Sequence, residues 1–278
     1  MGTESRTFVI VGAAHAGGKA IETLRKEGFR GRIVAVGKEP HYPYMRPEVS
    51  KEYLRGEVEK SASYVQPPEF YQEHDVDLRR KTEVTKISPH ASEVVLSDGN
   101  RIHYDKLLIA TGATIRKLDI PGNDLPGVHY LRTYEDSDAI KAEFKKKRHI
   151  VIVGGGWIGT EVAYAAREKG CKVTVVMRTE VPFANIMGKE LGRIYKKMHE
   201  QHGVEFVKGS AKSFDGEGRL KAVNLGRGRV IECDAAVVGV VYDDSAGAVR
   251  RFRSKEGGDW PMVEDPNGRI SVAFGVAG

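Results

Sequence analysis

Two glycine-rich segments have the residue types and the spacing to bind phosphate through the backbone. The first runs Val9-Ile10-Val11-Gly12-Ala13-Ala14-His15-Ala16-Gly17, and the second runs Ile150-Val151-Ile152-Val153-Gly154-Gly155-Gly156-Trp157-Ile158-Gly159. Each leaves a β-branched run and enters a helical pattern. In a strand-to-helix turn of this kind the first glycine permits the reversal and the second lets the backbone approach a pyrophosphate. The third lets helix and strand pack closely. The helix N-terminus behind the turn presents unpaired N–H groups and partial positive charge to the phosphates. One such motif is a weak signal. Two of them predict a chain that holds two dinucleotides, the arrangement of a flavoenzyme that takes a hydride from a nicotinamide. The candidate contacts are Gly12, Ala14, Ala16 and Gly17 in the first turn, and Gly154, Gly156, Ile158 and Gly159 in the second. Ala14 stands at the position of the second glycine, so a methyl group points at the pyrophosphate approach.

The elements that must position these turns follow from periodicity and punctuation. Residues 7–11 read as a strand, 16–27 as a helix stopped by Gly28, and 32–36 as the next strand. That βαβ order implies a right-handed crossover and a parallel sheet. Residues 94–97 and 101–104 flank Asp98-Gly99-Asn100, a hairpin signal. Residues 105–110 read as a buried strand. The plan then repeats: strand 150–153, helix 158–169 closed by Gly170, strand 172–176, helix 189–202 closed by Gly203, a hairpin-like stretch 220–232 and an apolar strand 235–241. A linker rich in Pro and Gly is expected over 114–131. The expected class is α/β, with two Rossmann-like dinucleotide-binding domains.

Composition narrows the function classes. The chain has 278 residues, 40% hydrophobic and 29% charged, with formal net charge +6. No apolar run approaches the ~18 residues needed to span a bilayer, so no membrane partner is expected. The N-terminus lacks the apolar core of a secretory signal, and only two cysteines occur, Cys171 and Cys233, with no C-x-x-C. A redox disulfide is not expected, and the default compartment is cytoplasmic. The nine histidines are scattered without ligand spacing, so no metal site is expected. His15 reads as a solvent-facing helix residue. Lys145-Lys146-Lys147-Arg148 reads as a solvated helix end, where cations suit the dipole.

The segment Pro43-Tyr44-Met45-Arg46-Pro47-Glu48-Val49-Ser50-Lys51 adds a resemblance. So do Ala110-Thr111-Gly112, Leu131-Arg132-Thr133 with Glu135-Asp136, and the continuation Gly159-Thr160-Glu161-Val162-Ala163. Over roughly 7–240 the chain resembles the FAD-dependent, NAD(P)H-using ferredoxin and rubredoxin reductases, a family that includes apoptosis-inducing factor. The resemblance implies a glutathione-reductase-like, three-layer fold. It implies an FAD-binding domain over 1–115, to which part of 241–278 returns, and an NAD(P)-binding domain over 116–240. It further implies a flavoprotein that passes a hydride from NAD(P)H to FAD and electrons to a small iron–sulfur protein of ferredoxin or rubredoxin type. Gly12, Ala16 and Gly17 are implied at the FAD pyrophosphate, Val84 at the adenine through its backbone, and Arg46, Lys51, Ala110, Thr111, Gly112 and Arg132 around the flavin. Gly154, Gly156 and Gly159 are implied at the NAD(P) pyrophosphate. Glu161 is implied at the junction of nicotinamide and flavin, within reach of Lys51, and these two are the candidate catalytic residues.

Departures from the family pattern shape three expectations. The acid for the adenosine ribose is displaced: Lys38 holds the matching position, and Glu39 beside it is the substitute. In the second half Met177-Arg178-Thr179 holds no acid, and Arg178 suits a 2′-phosphate. Residues 241–278 do not resemble the family's continuation, although 270–278 read as a strand. A truncated or altered C-terminus without the interface domain is expected, with FAD retention weakened. Two other readings stay open. One is a truncated, inactive nucleotide-binding homologue. The other is a binding protein like apoptosis-inducing factor, in which a basic surface meets nucleic acid; the leading reading expects no nucleic-acid partner.

Overall fold

The computed structural model describes residues 6–239. In chain order the first half contains β1 (Thr7–Val11), α1 (His15–Lys26), β2 (Arg32–Val36), α2 (Glu52–Arg55), α3 (Pro68–Glu73), β3 (Val76–Arg79), β4 (Val84–Ser88), β5 (Glu93–Leu96), β6 (Arg101–His103) and β7 (Lys106–Ile109). The second half contains β8 (Val128–Tyr130), α4 (Tyr134–Glu143), β9 (His149–Val153), α5 (Trp157–Glu168), β10 (Lys172–Met177), α6 (Gly188–Gln201), β11 (Val204–Lys208), β12 (Ser213–Asp215), β13 (Ala222–Gly226), β14 (Arg229–Glu232) and β15 (Ala235–Val238). The expectations placed on 241–278, including the strand at 270–278 and the altered C-terminus, lie outside the described residues.

Each half is three layers deep. The first parallel sheet has the order β3-β2-β1-β7, with Val9 opposite both Val34 and Leu107. Alternation splits its side chains. Ile10, Ile33 and Ala35 pack with Ile21 of α1 and Tyr71 of α3. Val9, Val11, Val34 and Val36 pack with Val94, Leu96 and Ile102 of the antiparallel β4-β5-β6 sheet. The second parallel sheet has the order β11-β10-β9-β15-β8. Ile150, Ile152, Val173 and Val175 meet Val162, Ala163 and Ala166 of α5. Val151, Val176, Ala236 and Val238 meet Phe214, Leu220 and Val223 of the β12-β13-β14 side. Near-continuous apolar runs mark β1, β2, β9, β10 and β15 because both of their faces are covered.

The halves share a core. Tyr44, Val49, Tyr53 and Leu54 belong to the same buried cluster as Leu131, Tyr134, Ile140 and Ile150. Ser137 Oγ donates to Val49 O at 2.8 Å, and Tyr53 OH donates to Asp138 at 2.6 Å. A rigid junction therefore sits beside the segment 43–51.

Three expectations change. The strand expected to be buried at 105–110 is β7, whose Leu108 and Ile109 are 43% and 56% exposed. Among the described residues it is an edge strand, bonded only to β1. The expected linker 114–131 ends in strand β8, which adds to β15 in parallel; it is short and follows two Pro-Gly pairs, which hide its pattern. His15 is half-buried as the first residue of α1, and burial together with the Lys19 charge lowers its pKa.

Candidate functional site

Both glycine-rich turns sit at the carboxyl end of a strand interior to its own parallel sheet, where open α/β sheets bind ligands. Their backbones repeat one another. Gly12 N donates to Val36 O at 2.8 Å and Gly154 N to Val176 O at 2.8 Å. Ala110 N donates to Val11 O at 2.7 Å and Gly239 N to Val153 O at 2.9 Å. Gly12 and Gly154 have φ of 111° and 118°, a region that favours glycine. The third glycines are demanded by packing. A Cβ on Gly17 would lie 2.0 Å from Gly12 O, and one on Gly159 would lie 2.0 Å from Gly154 O.

Gly156 obeys neither rule. Its φ is −90°, which any residue adopts, and a Cβ there would meet no protein atom within 4 Å. Among the described residues nothing gives a reason for glycine at this position. Close approach of a group from outside the chain does, and the equivalent Ala14 carries only a methyl.

The helices behind the turns are open at their N-termini. α1 starts after Ala14 and α5 after Gly156, with no side-chain cap and no acid in the first turn of either. The first intrahelical bonds are Gly18 N to Ala14 O and Thr160 N to Gly156 O, so the preceding N–H groups face outward without a helical partner. By contrast α4 is closed by a full capping box, with Thr133 Oγ1 accepting from Asp136 N and the Asp136 carboxylate accepting from Thr133 N. The two uncapped ends have the donor set for a pyrophosphate, and the residues present fit two dinucleotides.

Of the other predicted residues, Ala110 and Thr111 lie against Gly12, and Gly112 lies against Arg132. A Cβ on Gly12 would lie 2.2 Å from Ala110 O and 2.8 Å from Thr111 N. A Cβ on Gly112 would lie 3.2 Å from Arg132 Nη2. Arg46 donates to Arg132 O at 3.1 Å and to Tyr44 OH at 2.6 Å, and it pairs with the Glu39 carboxylate. Tyr44 OH also donates to Glu39 at 2.7 Å. Glu39, expected at ribose hydroxyls, is thus engaged by Arg46 and Tyr44. Val84 lies at the start of β4, where the register with β5 shifts.

Glu161 and Lys51 come to the same junction, but the carboxylate bonds elsewhere. Ser50 Oγ donates to Glu161 Oε2 at 2.6 Å, and among the described residues Lys51 forms no ion pair with Glu161. Ser50 is 5% exposed, so this bond across the two halves is well shielded. Burial, a hydrogen bond shared with Glu52 and the nearby Glu52 and Glu161 charges hold the Glu48 carboxyl above its usual range, against Lys51. Sequence reasoning missed Ser50 as the partner of Glu161 and Tyr44 as the partner of Arg46. Both lie inside the quoted 43–51 segment, but only the fold shows which atoms meet. It also missed Phe183, which follows β10. Its φ is +56° although it is aromatic and 5% exposed, and Trp157 lies tilted against it with ring centroids 4.3 Å apart. Left-handed backbone at a bulky residue persists only where its surroundings enforce it. Arg178 is exposed just beyond β10.

Comparison with known proteins agrees with this geometry. The family model described as pyridine nucleotide-disulphide oxidoreductase matches residues 6–251. The chain belongs to this family. It is 38% identical over 236 residues to rhodocoxin reductase of Rhodococcus erythropolis, covering 84% of the chain and 55% of that protein. It is 35% identical to the ferredoxin–NAD(+) reductase subunit of the benzene 1,2-dioxygenase system of Pseudomonas putida, covering 87% of the chain and 59% of that protein. The ferredoxin reductase for the CYP199A2 system of Rhodopseudomonas palustris superposes with a TM-score of 0.81 at 33% identity, covering 89% of the chain and 61% of its own. Putidaredoxin reductase in its covalent complex with putidaredoxin gives 0.82 at 27% identity, covering 88% and 61%. The chain thus spans 55–61% of the length of these relatives. Among the described residues no helix is long and apolar enough to cross a membrane.

Proposed function

We propose that this chain is the two-nucleotide core of a cytoplasmic flavoprotein reductase. FAD sits on the 1–115 half and NAD(P)H on the 116–240 half. The observation that carries the reading is the pair of uncapped helix N-termini, each behind a glycine turn, with Gly156 a glycine that nothing among the described residues requires. When bound, the flavin supplies the chemistry: it accepts a hydride and releases electrons singly. The chain binds and orients. Gly12, Ala14, Ala16 and Gly17 bind one pyrophosphate; Gly154, Gly156, Ile158 and Gly159 bind the other. Arg46, Arg132 and 110–112 frame the flavin, with Val84 at the adenine. Glu39 remains the candidate acid for the ribose hydroxyls, its carboxylate held by Arg46 and Tyr44. Glu161, held by Ser50, and Lys51 stand at the junction, where a cation beside the reduced ring stabilises negative charge.

The names of the relatives support a ferredoxin- or rubredoxin-type electron acceptor, and the net charge of +6 suits an acidic partner. The reading predicts two independent sites. In calorimetric titrations FAD and NAD(P)H each bind, and saturation with one leaves the other's site available. Competition for one site, or binding of neither, contradicts it.

Nucleotide preference follows from Arg178. With no acid in Met177-Arg178-Thr179 to repel a 2′-phosphate, NADPH binds at least as tightly as NADH. A charge-assisted contact is worth about 1.5–3 kcal/mol, so Arg178→Ala weakens NADPH by roughly 10- to 100-fold and leaves NADH unchanged. Equal losses for both nucleotides, measured as dissociation constants, contradict the assignment.

A further inference from the structure

The two halves correspond residue by residue beyond their glycine turns. Gly12 N donates to Val36 O and Gly154 N donates to Val176 O, each at 2.8 Å, so Val36 and Val176 hold the same place at the carboxyl ends of β2 and β10. The next residues match as well. A Cβ on Gly37 would lie 2.7 Å from Ala13 Cβ, and one on Gly155 would lie 2.7 Å from Met177 Sδ. In each half, then, the residue after Val36 or Val176 packs on the middle residue of the turn. The carbonyls of Gly37 and Met177 both accept from the loop that follows the neighbouring strand, from Thr82 N at 3.0 Å and from Gly209 N at 2.9 Å. Lys38 therefore stands where Arg178 stands. From this position a dinucleotide-binding fold reads the adenosine ribose, with an acid for a 2′-hydroxyl or a cation for a 2′-phosphate.

We propose that the first half, like the second, takes an adenine nucleotide phosphorylated on its 2′-oxygen, with Lys38 as the residue that selects it. This rests on each glycine turn binding one dinucleotide. Lys38 is exposed, and so is Lys81, which the bond from Lys81 N to Glu39 O at 3.1 Å sets beside it. Among the described residues neither side chain has an ion-pair or hydrogen-bond partner. An ammonium group offers donors and no acceptor, so it matches a phosphate better than a ribose diol, whose hydroxyls must also donate. Glu39 does not exclude the phosphate, because Arg46 balances its charge and Tyr44 OH donates to it at 2.7 Å. The first site is the weaker of the two for such a nucleotide. Lysine is a point charge where arginine presents a planar fork, and Ala14 carries a methyl group where Gly156 has none. Amounts of NADP(H) that fill the second site thus leave the first to FAD. In large excess NADP(H) also enters the first site of the flavin-free chain and slows FAD uptake, whereas NAD(H) does not.

The test is calorimetric titration of the flavin-free full chain with adenosine 2′,5′-bisphosphate and with AMP. The two differ only in the 2′-phosphate and carry neither nicotinamide nor flavin. Two bisphosphate sites per chain are expected, each at least about tenfold tighter than for AMP. FAD displaces the bisphosphate from the weaker site alone. Lys38→Glu removes the weaker site and keeps the tighter one, which shows the fold intact; Arg178→Ala weakens the tighter site instead. A single bisphosphate site overturns the proposal while the dinucleotide reading stands. So does a second site that survives Lys38→Glu or binds AMP equally well. A chain that binds neither compound removes the dinucleotide reading and the proposal together.

Discussion

Gly156→Val is expected to abolish NAD(P)H binding while leaving the melting temperature and FAD binding unchanged. The backbone there, φ −90° and ψ −172°, is the extended conformation that valine prefers, and its Cβ would enter space free of protein atoms. Folding therefore tolerates the change. The two added methyl groups stand before the open N-terminus of α5, where the pyrophosphate must approach. A loss of 100-fold or more in affinity, about 2.7 kcal/mol, is expected. Gly159→Val is the contrasting case. Its Cβ would lie 2.0 Å from Gly154 O, so helix and turn must separate. That variant loses NAD(P)H binding and about 1–3 kcal/mol of stability together. Calorimetric titration beside thermal melts distinguishes the two. Wild-type affinity in Gly156→Val would show that no phosphate passes that turn.

Removing the charge of Glu143 should destabilise the second half markedly. This carboxylate, at the end of α4, is 8% exposed. It accepts from Arg219 at 2.6 and 2.7 Å and from Arg148 at 2.5 Å, and it meets His129 at 3.2 Å. It thereby ties α4 to β8, to the start of β9 and to the β12–β14 side. Burial by itself pushes its pKa up, but the bonds from Arg219 and His129 and the charges of Arg219 and Arg148 outweigh burial and lower it. A carboxylate lowered in the folded state stabilises fully above its unfolded pKa near 4.5, and the contribution fades as pH falls through the folded value. Glu143→Gln is thus expected to cost about 2–3 kcal/mol at neutral pH, or roughly 5–10 °C in melting temperature. The gap between variant and wild type narrows as pH drops below 4.5. Denaturant titrations across pH measure it, and a gap independent of pH would exclude Glu143 as a charged hub.

The parallel strands and their helices were legible because burial on two faces writes itself as apolar runs and glycines punctuate their ends. β1 and β2 match their expected bounds, and α1, α5, β9 and α6 differ by about one residue. Strands with one covered face carried too little pattern. β3 is Val-Asp-Leu-Arg and half-buried throughout, and β12 has only Phe214 buried. The exposure of β7 was invisible because its composition resembles a central strand; only its place in the strand order reveals an edge. A helical pattern ending near 145–148 was legible, but the start of α4 was not, although Thr133 and Asp136 stood in the sequence as a capping pair. In the candidate site, residue identities were readable but their pairing was not. A carboxylate at 161 and a lysine at 51 suggest an ion pair, yet the turn after Pro47 puts Ser50, one residue earlier, against Glu161. Which of two adjacent side chains faces inward is decided by packing, not by type.

The most direct test of the two-nucleotide core is the visible spectrum of the purified chain, with FAD added, during anaerobic titration with NADH and then NADPH. A bound flavin band that bleaches on addition of reduced nicotinamide, with NADPH at least as effective as NADH, is the predicted result. A chain that takes up no FAD, or whose bound flavin stays oxidised in excess NADH and NADPH, would contradict the account.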